Sequence, residues 1–219
     1  MLTISKENYL KAIYKHREGE DFPVPASYIA DELQVSNAAI SKMAKTLSEQ
    51  GLLDYQKHKG VRLTGEGEKF ALKVIRRHRL WELFLINVLG LTWAEVHDEA
   101  ERLEHSTSEF LIDKMDEFLG FPKLDPHGSP IPDKNGKLPE LPAVLKMELC
   151  EPGKSYKIAR VQDGDAQLMQ YLTRLGIKLN IEIKIIEKFS FDQSISIEIK
   201  GQNFLLSEKV VERIWVIHE

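Results

Sequence analysis

A mainly α-helical protein ending in a small β domain is what the 219-residue sequence predicts. Three observations predict it. Two short helical stretches joined by three residues and followed by a basic hairpin lie in the first third. Helical periodicity then runs from Glu66 to Leu119, and four stretches of period-two alternation fill the end, from Tyr156 to Ile217. The expected domains are 1–65, a winged helix-turn-helix; 66–145, a helical dimerisation and metal-binding region closed by a Pro- and Gly-rich connector; and 146–219, a small barrel.

Composition sets the class. A hydrophobic fraction of 42% with 29% charged residues is ordinary for a chain that buries real cores. No apolar run of about 18 residues is present to span a bilayer, and the start, Met1 to Lys6, lacks a hydrophobic signal core, so a cytoplasmic protein is expected. The single Cys150 excludes an internal disulfide framework; Met147 to Gly153 reads as a strand entering a turn, with Cys150 a small buried hydrophobe. The net charge of -4 hides a division: residues 1–80 carry a balance of +4 and residues 81–219 one of -8. The two halves have different partners.

In the first domain Ser5 to Arg17 reads as a helix opening on a serine cap, with Tyr9, Leu10, Ile13 and Tyr14 on one face. Pro25 to Leu33 is a short helix, Gln34-Val35-Ser36 the turn, and Asn37 to Gln50 a second helix stopped by Gly51. Ile40, Met43, Ala44 and Leu47 face inward. That leaves Ser36, Asn37, Ala38, Ser41, Lys42 and Lys45 outside, small, polar or basic as a recognition helix requires, since its leading residues approach base edges while lysines meet phosphates. Leu52 to Gln56 and Val61 to Thr64 then form a hairpin with Lys57 and Lys59 at its tip, a wing suited to tracking a DNA backbone. Winged helices also serve as pure protein-interaction modules.

In the second domain Glu66 to Leu89 is one long helix, apolar nearly all round from Leu80 onward, which implies cover from a second subunit and, by default, a two-fold homodimer. His78 and Glu82 stand one turn apart on it. The stretch His97 to His105 packs six potential metal-binding side chains into nine residues. At about 100° per residue, His97, Glu101, Glu104 and His105 share one arc, beside an apolar stripe of Val96, Ala100, Leu103 and Phe110. Carboxylates and imidazoles converging in a half-buried place are neutralised most simply by a divalent cation, a solvated charged face being the plainer alternative. Thr107 to Leu119 is a further helix, and Gly120 to Gly136 the connector, in which Asp125 and His127 read as turn residues or ligands.

In the last domain Tyr156–Val161, Glu182–Glu187, Ser194–Ile199 and Arg213–Ile217 read as strands, with a helix from Gln167 to Leu175 ending at Gly176. Asp163-Gly164-Asp165 reads as a turn.

The motifs Glu7 to Tyr14, Arg77 to Glu82, Val96 to His105, Leu119 to Pro122 and Pro126 to Gly128, in this order, resemble the diphtheria-toxin-repressor family of metal-dependent transcriptional repressors, and more closely its manganese-responsive branch with a C-terminal SH3-like domain. The resemblance covers essentially the whole chain. It implies one metal site on Asn8, His78, Glu101, Glu104 and His105 and a second on Glu82, Asp125, His127 and Asp163, with His97 matching a ligand position of the iron-responsive branch. Against the family pattern, Glu101 and Asp125 stand where relatives carry Cys, Asn8 replaces Met or Asp, and Lys11 replaces a Glu of some manganese sensors. Oxygen donors at 101 and 125 favour Mn2+ over thiophilic metals, with Fe2+ also accommodated and Zn2+ able to occupy the sites in vitro.

The sequence therefore predicts a homodimeric repressor that binds double-stranded operator DNA when Mn2+ or Fe2+ is bound, controls metal uptake or homeostasis genes and has no enzymatic activity; no zincin motif is present. The alternative is a winged-helix regulator whose metal site is structural and whose effector is another small molecule.

Overall fold

The computed structural model describes residues 2–17, 20–56 and 59–218. Lys57 of the predicted wing lies outside the described residues. The chain forms two compact units, one of Met1–His78, Leu103–Asp113 and Pro132–Leu138, the other of Arg79–Arg102, Lys114–Ile131 and Pro139–Glu219.

The first unit opens with α1 (Ile4–Arg17). It begins two residues earlier than a Ser5 cap would place it, because the Thr3 carbonyl accepts from the Lys6 and Glu7 amides. Then come α2 (Ala26–Glu32), α3 (Asn37–Glu49), the hairpin of β1 (Leu53–Gln56) and β2 (Gly60–Leu63), and the start of α4 (Gly65–Asn87). Helix α3 starts where Ser36 Oγ accepts from the Ala39 amide at 3.2 Å and ends where Gly51 turns to φ +72. Tyr9, Leu10 and Ile13 of α1, Ile29 of α2, Ile40 and Leu47 of α3, Val61 of the wing and Ile75 of α4 share one core. Burying such side chains contributes about 1.5–3 kcal/mol each. Gly67 lets α4 start against the preceding turn, since a Cβ there would stand 2.0 Å from the Leu52 carbonyl oxygen.

The second unit holds the end of α4, most of α5 (Val96–Leu103) and the C-terminal half of α6 (Glu109–Phe118). It also holds an antiparallel sheet of six strands in the order β3-β8-β4-β5-β6-β7. The strands are β3 (Leu145–Lys146), β4 (Ser155–Val161), β5 (Glu182–Lys188), β6 (Ile195–Ile199), β7 (Gln202–Leu206) and β8 (Ile214–His218), with α7 (Ala166–Arg174) after β4 and α8 (Glu208–Val211) before β8. Bulges in β4 and β5 bend this sheet into the SH3-like form. Ile158, Ile183, Ile185, Ile197 and Val216 point inward and meet Leu168 and Leu172 of α7. Asp165 caps α7 by accepting from the Gln167 and Leu168 amides, both at 3.0 Å.

The architecture is the mainly helical one with a small β domain that the sequence predicts. Four details differ. Met147–Leu149 is a single 3-10 turn rather than a strand, with Cys150 buried behind it. Strands β3 and β7 and helix α8 had no clear period-two or helical signal, being short or broken by polar residues. Helix α5 stops at Leu103, so Glu104 and His105 lie in the turn after it. Phe110 accordingly belongs to α6, where it is 73% exposed rather than part of a buried stripe with Val96. No helix among the described residues is long and apolar enough to cross a membrane.

Two candidate metal centres

The end of α5 divides two groups of ionisable side chains, one in each unit. In the first unit, Glu104 is fully buried in the turn after α5. Its Oε2 accepts from His78 Nδ1 of α4 at 2.7 Å, and its Oε1 lies 3.0 Å from His105 Nε2 and 2.6 Å from the Lys11 ammonium of α1. Residue Glu7, one turn before Lys11, accepts from His105 Nδ1 at 2.6 Å and from Arg77 at 2.9 Å. Between them on α1, Asn8 presents a buried Oδ1 with no hydrogen-bond partner among the described residues. A buried oxygen so left lacks the partner that burial demands.

These contacts set the charges. Burial pushes the Glu104 carboxyl up, but hydrogen bonds from His105 and His78 and the Lys11 charge outweigh it and hold the group well below the usual carboxylate range. Burial pulls His105 down, yet Glu104 and Glu7 on its two nitrogens raise it to about 9. Glu7 follows Glu104: burial opposes its charge and is outweighed by His105 and Arg77, so its carboxyl is lowered.

In the second unit Glu82 of α4, one turn on from His78, is fully buried with Asp125 and His127 of the connector. One donor atom from each of these three lies within 4.8 Å of the others. Asp125 has two roles. Its Oδ1 accepts from the His127 and Ser129 amides at 2.8 and 2.9 Å, closing the turn, while Oδ2 has no hydrogen-bond partner among the described residues and lies 3.4 Å from Arg79 Nε. The turn is seated on β4: Val161 donates its amide to the His127 carbonyl at 2.9 Å, and a Cβ on Gly128 would stand 2.1 Å from the Ala159 oxygen. Both His127 ring nitrogens are buried without a hydrogen-bond partner among the described residues, with Glu82 Oε2 3.6 Å from Nδ1 and the Trp93 ring centroid 5.4 Å away. Burial, reinforced by the Glu82 charge, raises the Asp125 carboxyl. Burial lowers His127, but neighbouring Glu82 and Asp125 outweigh it and raise it.

His97 lies in this second group. Its Nδ1 is 3.4 Å from Glu82 Oε1 and 3.8 Å from Asp163 Oδ2, and its Nε2 is 3.8 Å from Glu101 Oε1. Asp163 is thus brought beside His97 from the loop after β4. The residues that sequence reasoning passed over are Glu7, Arg79 and Trp93. A signal existed for Glu7: it flanks the apolar face of α1, where an acid is buried only with partners. Two carboxylates and an imidazole, with buried donor atoms unsatisfied and no thiolate, fit a divalent cation that prefers oxygen and nitrogen.

On α3, Ser36, Asn37, Ala38, Lys42 and Lys45 are exposed and Ser41 partly so; Lys59 of the wing is exposed. The face that would meet DNA is open.

The chain is similar to known proteins along most of its length. Residues 1–61 match the family model of the iron dependent repressor N-terminal DNA binding domain, residues 64–133 that of the iron dependent repressor metal binding and dimerisation domain, and residues 145–218 that of the FeoA domain. The diphtheria toxin repressor of Corynebacterium jeikeium is 32% identical over 193 residues, 86% of this chain and 80% of that one. The iron-dependent repressor IdeR of Mycobacterium leprae is 37% identical over 131 residues, 60% of this chain but only 56% of its own length. A solved manganese-dependent transcriptional repressor in complex with manganese superposes with a TM-score of 0.91 at 38% identity, covering 98% of this chain and all of that one. The ScaR structure with bound Zn2+ superposes at 0.85 with 35% identity, covering 98% of this chain and 99% of that one.

Proposed function

The chain belongs to the iron-dependent repressor family, and from that premise we propose that it is a homodimeric, metal-activated repressor that binds operator DNA through α3 and the wing. The proteins it resembles are transcriptional repressors, a non-enzymatic family. The observation that carries metal activation is the buried Glu82–Asp125–His127 group, with His127 and Asp125 donor atoms left unsatisfied beside a second acid, an arrangement that a divalent cation would complete. His97 and Asp163 are proposed to complete it. The first centre is proposed on Asn8, His78, Glu104 and His105; Glu101 is proposed as a ligand from the sequence resemblance. We propose Mn2+ as the physiological metal, since every donor is oxygen or nitrogen; Fe2+ shares that preference, and Zn2+ fills such sites in vitro.

A bound divalent cation supplies positive charge that lets carboxylates and neutral imidazoles converge without mutual repulsion. The chain's own residues make that convergence matter to DNA. Helix α1, which carries Asn8, shares a core with α3 through Tyr9 and Leu10, so whatever fixes Asn8 against Glu104 and His105 would also fix the scaffold of the recognition helix. His105 must give up its proton to act as a donor, and Glu7 holds its Nδ1 so that Nε2 faces Glu104. A coupling of a few kcal/mol between these contacts and the DNA-competent arrangement suffices for a switch.

The dimer is supported by apolar surface in the second unit. Val88 and Leu89 after α4, Phe118 at the end of α6 and Phe121 after it are 44–68% exposed. Apolar surface of this kind marks an association site.

The test begins by selecting duplexes from a randomised pool with Mn2+-loaded protein. The selected duplex is then titrated with protein in Mn2+, Fe2+, Zn2+ and chelator. The reading requires affinity that falls at least about tenfold on chelation; binding that survives chelation supports the structural-metal alternative instead.

A further inference from the structure

Lys11 borders the first centre without being one of its candidate ligands. Its ammonium lies 2.6 Å from Glu104 Oε1, in an ion pair whose side chains are 8% and 0% exposed. Glu104 is also where both imidazoles of the first centre converge, His105 Nε2 on the same oxygen and His78 Nδ1 on the other. The most buried carboxylate of the centre therefore already holds a cation, and that cation is covalently part of α1, one turn after Asn8 and Glu7. A metal drawn to Glu104 meets a like charge within the first few ångströms, where screening by water is weakest. It must either displace the ammonium or share the carboxylate with it.

We propose that Lys11 is a tethered competitor for the first centre: it neutralises Glu104 in the metal-free protein and raises the concentration of divalent cation needed to fill the site. This rests on the metal reading above and adds to it a residue that sets the threshold. It is a positioning and affinity-setting role, since an ammonium cannot itself be a metal ligand. The same contact gives the metal-free protein a defined α1–Glu104 pairing, so that activation exchanges one cation for another at a single carboxylate.

The experiment measures Mn2+ dissociation constants by competition with a fluorescent chelator on the full-length protein. All variants carry Glu82→Gln, so that the first centre titrates alone. Lys11→Met removes the charge and keeps the length; Lys11→Arg keeps the charge. The Lys11→Met protein is expected to bind Mn2+ about tenfold or more tighter than its Lys11 parent, and Lys11→Arg to stay within about threefold, since charge near the ion sets the difference. Cooperative thermal melting of the metal-free proteins establishes folding, and Lys11→Gln replaces Lys11→Met if the latter does not melt cooperatively. Equal affinity in parent and Lys11→Met, or an arginine variant that tightens as much as methionine, overturns the inference while leaving the metal reading intact. A parent that takes up no Mn2+ overturns the metal reading at this centre, and the competitor role with it.

Discussion

Glu104 holds together the first centre, and its neighbours make it a charge that folding has already neutralised. Removing it takes a buried carboxylate partner from both Lys11 and His78. Glu104→Ala is therefore expected to lower the stability of the metal-free protein by about 3 kcal/mol in denaturant melts and to abolish Mn2+ uptake at this centre. The pair Glu104–His105 also sets a pH profile. Glu104 is lowered from its ordinary 4.5, so its contribution is present above that value and fades as pH falls below it. His105 is raised from 6.5 to about 9, so its contribution is complete below 6.5 and fades as pH rises through 9. As far as this pair decides, metal-free protein is most stable between pH 4.5 and 6.5. Thermal melts across pH 4 to 10 on the metal-free chain check it, and a stability that climbs from pH 7 to 9 would be the contrary result. Added Mn2+ should stabilise more as pH rises through the same interval, because His105 must lose a proton to serve as donor. At this scale the sequence shows which residues are ionisable but not their partners: Glu7 acquires its role from a histidine 98 residues away.

Elements with local rules were legible and those ended by tertiary context were not. The Ser36 cap, the Gly51 stop and the alternating strands β4, β5, β6 and β8 follow from short-range chemistry. Helical periodicity through His105 is equally regular in sequence, yet α5 ends at Leu103, where the Ser106 amide bonds the Leu103 carbonyl and the chain turns toward α6. The single arc of His97, Glu101, Glu104 and His105 is thereby divided: His97 and Glu101 lie in the second unit, Glu104 and His105 in the first. The connector turn is an element whose sequence, Pro126-His127-Gly128, announces a bend but not the strand it rests on. Gly128→Ala meets backbone at 2.1 Å with φ +87, and neither can yield cheaply. A loss of about 2 kcal/mol or more is expected, together with loss of Mn2+ at the second centre while the first still titrates; calorimetry resolves the two. On α3, Ser36→Ala should cost about 1 kcal/mol by removing the cap, whereas Lys42→Ala should leave stability unchanged and reduce the salt dependence of DNA binding by about one phosphate contact.

For the whole molecule, a mainly helical class ending in a small β domain was readable because periodicity changes along the chain from 3.6 to 2. The members proposed for the second centre were grouped only through resemblance, since they come from α4, the connector and the loop after β4, and no spacing rule joins positions 82, 125 and 163. Their burial has a further consequence. Glu82 and Asp125 are 0% and 3% exposed, and the repulsion between two acids enclosed together opposes folding, which a bound cation would offset. Ligand that binds only the native form stabilises it by mass action, about 2.7 kcal/mol at a hundredfold excess over the dissociation constant. Occupancy then governs how often the chain opens to a protease. Limited digestion with and without Mn2+ is expected to show cleavage at least about tenfold slower in the loaded protein, and equal rates would refute it. In a metal-starved cell such a regulator would be idle and also short-lived, so that its abundance would report the metal supply alongside its DNA affinity.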